Sequence, residues 1–302
     1  MSRTLCPWFM LLCSMSVAAA ACGDDGGAAP CTEDTDCPSN FCRADGTCAP
    51  AEIDAPLGPD APLDAPNGVC SPDHNGMITQ VELPLLAGKM ATFRVAIDPT
   101  FETAGTAGTG GTRIWDLTAQ LAMDSDRPLA LLSPVGTWWQ AKFPTASYAA
   151  VLSAESDLLG VFKVDANALV LLGVVSPAAG QFKTELTYDP PAKILTLPIA
   201  AAGTWTSTST ISGTAQGAFA SYTERYASLV DQTGTMKTPY GEFPVVRVAT
   251  DLTRSSLGST ILTKRSFAWI AECFGSIATV SSQDFETSAE FNDPAEVRRL
   301  AP

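Results

Sequence analysis

Histidine is nearly absent from this chain of 302 residues, in which His74 is the only one. A multi-histidine metal site is therefore excluded, and a histidine-based catalytic triad has almost no basis. Basic residues are also scarce, since 18 of them accompany 32 acidic residues and the net charge is −14. Nucleic acid carries charge of the same sign and would be repelled, so we expect no nucleic-acid partner.

The apolar run at the amino terminus is short for a membrane-spanning helix. Residues 5–21 form a run of about 17 residues that contains a proline, follows Arg3 and ends in small residues. These features are typical of a secretory signal peptide. We therefore predict an exported protein with a signal peptide over residues 1–21.

The end of this run, Ala19-Ala20-Ala21-Cys22-Gly23, resembles the lipobox of bacterial lipoproteins. The resemblance implies that Cys22 is acylated and anchors the mature chain to a membrane, with residues 22–30 as a flexible tether. Leucine is the usual residue where this chain has Ala19. Gly23 after the cysteine resembles outer-membrane sorting in Gram-negative bacteria, on the periplasmic face or the cell surface. The alternative is ordinary Ala-x-Ala cleavage, which would leave Cys22 as a plain thiol.

Six further cysteines follow, and an even number in an oxidising compartment predicts three disulfides. Four of them lie within residues 31–48, a segment too short to bury a core and so dependent on covalent links. Zinc is the competing interpretation, but the spacing lacks a Cys-x2-Cys pair. The six candidates are Cys31, Cys37, Cys42, Cys48, Cys70 and Cys273.

The segment 31–48, CTEDTDCPSNFCRADGTC, resembles a small cysteine-rich module of bacterial surface lipoproteins and loosely the Dickkopf amino-terminal cysteine-rich domain. The resemblance implies an extracellular knob and carries no Wnt-related function. Cys70 and Cys273 then remain as a third pair, about 200 residues apart. The alternative for this pair is two free buried thiols.

Residues 49–69 contain three Asp-Ala-Pro repeats, which predict an extended and solvated linker. Residues 23–69 hold ten acidic residues and one basic residue, whereas residues 70–302 hold 22 and 16. Most of the excess negative charge therefore belongs to the tether and linker.

The remaining residues, 70–302, read as one all-β body. Short alternating runs rich in threonine, valine and aromatic residues recur between glycine, proline, asparagine and aspartate, as in residues 92–97, 159–164 and 243–252. We predict an antiparallel sandwich or a curved half-barrel, with two lobes meeting near residue 190 as an open alternative. A short helix is expected only near residues 294–300.

Three segments of this body are similar, in order, to a recurrent secreted bacterial β-module: GTWTSTSTISG (203–213), TPYGEFPVVRV (238–248) and SFAWIAECFGSIATVSS (266–282). The resemblance implies an envelope protein of unassigned function. Related periplasmic folds are open half-barrels that hold a lipid or another apolar ligand. The chain departs from the pattern at residues 272–274, where a Pro-Gly turn is usual.

Residues 71–82 resemble a calcium loop of the EF-hand type. Asp73, Asn75 and Glu82 fall at ligand spacings, and Gly76 falls at the sharp turn. The first ligand position is serine, however, and no helix is predicted on either side. The alternative is an Asx-type turn that leads into the first strand.

No pattern in the body indicates catalysis. The glycine-rich residues 105–111 lack the Gly-Lys-Ser/Thr ending of a phosphate-binding loop, and no Gly-x-Ser-x-Gly elbow is present. Adjacent tryptophans 138 and 139 would point to opposite faces of a strand, which weakens a sugar-stacking platform. The acids Asp116, Glu224, Glu242 and Glu272 are not brought together by the sequence. We therefore expect no enzyme, no catalytic residue and no cofactor.

These observations predict a lipid-anchored cell-envelope protein with a non-enzymatic binding or scaffolding β-domain, whose partner is an envelope protein or a polysaccharide. One alternative is a carrier that holds a lipid or other apolar ligand in a curved sheet. A second alternative is a calcium-organised adhesion module.

Overall fold

The computed structural model describes residues 70–302. The signal peptide, Cys22, the four cysteines of residues 31–48 and the linker 49–69 lie outside the described residues and remain predictions. Within the described part, no helix has the length and apolar character that crossing a membrane would require.

Strands dominate residues 70–302, accompanied by two single-turn 3-10 helices at Gln80–Glu82 and Thr109–Gly111. The prediction of an all-β fold is confirmed. The strands are β1 (Met77–Ile78), β2 (Met90–Ile97), β3 (Thr106–Ala107), β4 (Arg113–Asp116), β5 (Ser125–Ala130), β6 (Tyr148–Ser153), β7 (Ser156–Asp165), β8 (Ala168–Val175), β9 (Glu185–Thr196), β10 (Ile199–Ala200), β11 (Thr204–Ala215), β12 (Ala218–Lys237), β13 (Glu242–Ser256), β14 (Ser259–Ala271), β15 (Gly275–Ser281) and β16 (Glu296–Leu300).

One curved sheet contains fourteen of these strands, and its main path runs β5-β2-β16-β15-β14-β13-β12-β11-β9-β8-β7-β6. Neighbours on this path pair antiparallel, whereas β4 pairs with β12 in parallel and β3 pairs with β4. Residue 190 lies inside β9, so the sheet is continuous through the position where two lobes would meet. The two-residue strands β1 and β10 pair separately.

The sheet nearly closes on itself and forms a curved half-barrel. An isolated bridge joins Leu132, just after β5, to Ala149 in β6. The Glu296 carboxylate of β16 accepts hydrogen bonds from the Ser153 hydroxyl at 3.2 Å and the Ala154 amide at 2.7 Å. These contacts connect the β6–β7 hairpin to strands at the other end of the sheet order. The half-barrel, one of the two predicted architectures, is the one observed.

Tight hairpins set the register of the long strands. Gln216-Gly217 and Leu257-Gly258 are the two-residue turns of β11–β12 and β13–β14, and all four residues have positive φ between 50° and 82°. Turns of this kind match the right-handed twist of the flanking strands. The sequence signal was the turn glycine, which adopts positive φ without steric cost.

Apolar residues cover both faces of the sheet. One face of the sheet is here called the inner face. On this face Leu85 and Leu195 pack against the core that contains Val230 and Val248 and also against the core that contains Tyr148 of β6. Two further cores lie on the opposite face. One surrounds Trp115 and Trp269, and the other surrounds Trp139 and Phe143. Segments before β4 and before β6 cover these two cores, so the sheet is buried on both sides at these positions, whereas outward residues of β11 are exposed.

The predicted helix over residues 294–300 is wrong. Residues Glu296–Leu300 form β16, which pairs with β15 on one side and β2 on the other. Pairing to two neighbouring strands overrides the weak local preference of this short segment.

Candidate functional site

A short segment at one end of the half-barrel, residues 77–85, is here called the plug. Its side chains Ile78, Leu83 and Leu85 pack on the inner face beside Trp205. Strand β1 at its start pairs with β10. At Thr79 the backbone amide and hydroxyl donate to Glu82 Oε2 at 2.8 and 2.6 Å, which is a capping-box arrangement. The plug therefore has a fixed backbone that positions Glu82.

A disulfide holds the residues before the plug against the β14–β15 turn. Cys70 and Cys273 are bonded, with their Cα atoms 5.5 Å apart, so the predicted pairing of these two cysteines is confirmed. The Cys273 amide also donates to the Glu82 carbonyl at 2.9 Å. Two links thus connect segments that lie about 200 residues apart in the chain.

Three carboxylates meet at this junction. One oxygen from each of Asp73, Glu82 and Glu272 lies within 4.8 Å of the others. Asp73 is exposed, Glu82 is buried and Glu272 is half-buried. The His74 amide donates to Glu272 Oε2 at 3.1 Å, and its ring Nδ1 lies 3.5 Å from the same oxygen. We call this group the acidic cluster.

The sequence-predicted calcium residues are only partly brought together. Asp73 and Glu82 belong to the acidic cluster, whereas the Asn75 side chain donates to Asp73 Oδ2 at 2.7 Å and accepts from the Met77 amide. Asn75 thus shapes an Asx-type turn. The sequence alone does not bring Glu272 together with another acid, although its place beside Cys273 and the predicted disulfide indicate a position near Asp73.

A second buried polar group lies on the inner face of the sheet. The Glu224 side chain is 1% exposed and pairs with Arg254 at 2.7 Å. The hydroxyls of Tyr188 and Tyr226 donate to its other oxygen at 2.9 and 2.5 Å. Arg254 also lies 4.7 Å from the ring centroid of Tyr222. Both oxygens of Glu224 and the charge of Arg254 therefore have partners, as buried polar groups require.

Burial raises the pKa of Tyr148 and Tyr188 far above the usual range, and Glu224 adds to the effect at Tyr188. Burial also raises the pKa of Tyr222 and Tyr226. The neutral form is favoured in the folded state, so this stabilising contribution is complete below pH ~10, the ordinary tyrosine pKa, and declines as the pH rises. We expect the free energy of unfolding to fall steadily above pH ~10.

Urea unfolding at several pH values, with tyrosinate absorbance followed in the folded protein, measures this effect. The variant Tyr148→Phe removes one such group and should make the decline shallower. Ionisation of all five tyrosines in the folded protein near pH ~10 would contradict the prediction.

The other sequence candidates lie apart from one another. Trp139 is buried, while Trp138 donates its indole N–H to the Ser176 carbonyl at 3.1 Å and lies under Lys183. Asp116 and Glu242 are both exposed. Among the four acids considered for catalysis, Glu272 alone joins a carboxylate cluster within the described residues.

Four exposed apolar side chains lie at the end of the half-barrel opposite the plug. Phe182, Phe219 and Phe285 are 73%, 80% and 57% exposed, and Leu257 is fully exposed. They lie on or beside the β8–β9, β11–β12, β13–β14 and β15–β16 connections, which the antiparallel registers place at one end of the sheet. We call these four residues the hairpin rim. The hairpin rim was not predicted from the sequence. The order of strands in the sheet determines at which end of the sheet each turn lies, and local pattern does not give that order.

Comparison of the chain with protein-family models, curated proteins and solved structures gave no significant match.

Proposed function

We propose that this chain is a lipid-anchored envelope protein whose β-domain binds a partner protein through the hairpin rim and performs no catalysis. In this proposal Cys22 carries the lipid, and the linker 49–69 holds the domain away from the outer membrane. The observation that carries the binding function is the hairpin rim itself.

The rim has the composition and position of a contact surface. Exposed apolar residues that cluster on a soluble domain mark interaction sites, whereas scattered ones need no explanation. The strands next to the rim run from β9 to β15 along the main sheet path. They span five strand spacings, so the rim extends over roughly 24 Å. Three of the four rim residues are phenylalanine, and aromatic side chains are enriched where protein interfaces concentrate their binding energy.

The inner face favours this function over the alternative of an apolar carrier. Its strands carry the Glu224–Arg254 ion pair together with three tyrosines, and the plug inserts Ile78, Leu83 and Leu85. A carrier of lipid needs a continuous apolar cavity that accepts most of the ligand. A charged pair and inserted side chains occupy surface that such a ligand would need.

Site-specific photo-crosslinking in the cells that produce the protein tests the proposal. A benzophenone amino acid replaces Phe182, Phe219 or Leu257 in the full chain, and the adducts are identified by mass spectrometry. We expect one defined protein to be captured from all three positions. Val81, which is 81% exposed on the plug at the other end, is the matched control and should capture nothing specific.

Two outcomes contradict the proposal. Adducts with lipid from the rim positions would indicate a membrane contact or a carrier. Equal capture of the same protein from Val81 would show that the rim has no selectivity.

A further inference from the structure

The acidic cluster has a composition that ordinary packing does not explain. Three carboxylates share a space in which the ligand oxygens lie within 4.8 Å of each other. Like charges at such distances repel, and burial of one of them strengthens the repulsion because the local dielectric is lower. Among the described residues no salt bridge includes Asp73 or Glu82, and the one that includes Glu272 is with the His74 ring, at 3.5 Å.

Glu82 provides an independent indication of a ligand. Its residue is 7% exposed, and Oε1 has no hydrogen-bond partner among the described residues. The second oxygen is already engaged by Thr79, which fixes the carboxylate orientation. A buried carboxylate oxygen without a partner is costly, so a cation held between Glu82 and the two neighbouring carboxylates would offset that cost.

We propose that Asp73, Glu82 and Glu272 bind one calcium ion, with water completing its coordination. The donor set consists of carboxylate oxygens, which hard divalent cations prefer. Calcium accepts irregular sites with six to eight oxygen ligands, whereas magnesium requires a near-octahedral arrangement at shorter distances. Asp73 is exposed, so one side of the acidic cluster is open to water.

The surrounding backbone is already arranged for such a site. Cys70 precedes Asp73 by three residues and Cys273 follows Glu272 directly, so the disulfide holds both outer ligands near each other. The capping box orients Glu82, and the Glu82 carbonyl accepts the Cys273 amide. A preorganised site loses less conformational freedom on binding. The ion would then fasten the residues before the plug to the β14–β15 turn.

Calorimetric titration and thermal melting of the full oxidised chain, after treatment with chelator, test the proposal. We expect calcium chloride to bind with one-to-one stoichiometry. At a hundredfold excess over Kd the melting temperature should rise by about 5–10 °C. Magnesium chloride at the same concentration should raise it much less.

Glu272→Gln and Glu82→Gln separate metal binding from simple structural roles. Each should weaken calcium affinity at least tenfold, because it removes a charged ligand. Without calcium, each variant should melt at or above the wild-type temperature, since one of three repelling charges is gone. Glu155→Gln, which changes an exposed glutamate away from the cluster, should retain the full calcium shift.

The proposal is overturned if wild-type protein shows neither binding heat nor a melting shift with calcium. It is also overturned if Glu272→Gln and Glu155→Gln respond to calcium alike, or if zinc or magnesium replaces calcium with higher affinity. These results do not depend on the hairpin rim, so they test the metal site separately from partner binding.

Discussion

The double variant Cys70→Ser/Cys273→Ser is expected to lose up to about 5 kcal/mol of unfolding free energy. The disulfide closes a loop with a sequence separation of 203 residues, and a crosslink over so long a loop removes much of the conformational entropy of the unfolded chain. Urea unfolding of the oxidised wild type and the variant, compared at equal pH, measures the difference.

The double alanine variant Cys70→Ala/Cys273→Ala is the matched control. Both cysteines are half-buried, so serine adds hydroxyl groups to a partly buried site, and alanine does not. Equal losses in the two variants would assign the effect to the missing crosslink. Unchanged unfolding free energy in both would show that the plug and the β14–β15 turn stay together without the bond, contrary to expectation.

The strands of the body could be predicted from local pattern, because alternation and turn glycines act within a few residues. Residues 243–252 are an example, since their alternating pattern predicted a strand and they lie within β13. The closure of the sheet could not be predicted in this way. It depends on contacts such as Glu296 with Ala154, which join segments 142 residues apart.

The candidate metal site could likewise be predicted from local pattern only in part. Asp73 and Glu82 were found because they lie at calcium-loop spacings within one short segment. Glu272 comes from a distant turn, and its contribution follows only from the Cys70–Cys273 bond together with the sheet topology. Asn75 has the correct spacing, but hydrogen bonds within its own turn determine where its amide points.

Buried arginines were the least predictable feature of the fold. Two adjacent arginines such as Arg298 and Arg299 favour an exposed position, because arginine is rarely buried without a partner. Here Arg299 is fully buried, and its partner Asp124 lies in a loop 175 residues earlier. No local pattern links the two residues, so only the folded sheet reveals the pair.

Arg299→Met is therefore expected to lower the unfolding free energy by about 3–5 kcal/mol. The guanidinium donates to both oxygens of Asp124, at 2.9 and 2.6 Å, and to the carbonyls of Leu117 and Ala119. Methionine preserves much of the volume but leaves the Asp124 side chain, which is 4% exposed, as an unpaired buried charge. Urea unfolding of the variant and the wild type measures the loss.

Two further variants distinguish this buried pair from ordinary surface charge. Arg94→Met removes the neighbouring cross-strand arginine, whose pair with Asp126 is partly exposed, and should cost less than about 1 kcal/mol. Arg299→Met/Asp124→Asn removes the unpaired charge while keeping an acceptor for the Leu121 amide, so it should be more stable than Arg299→Met alone. If Arg299→Met costs no more than Arg94→Met, the loop that carries Asp124 is not held by this ion pair, since a carboxylate that is 4% exposed should not lose its salt-bridge partner without a large penalty.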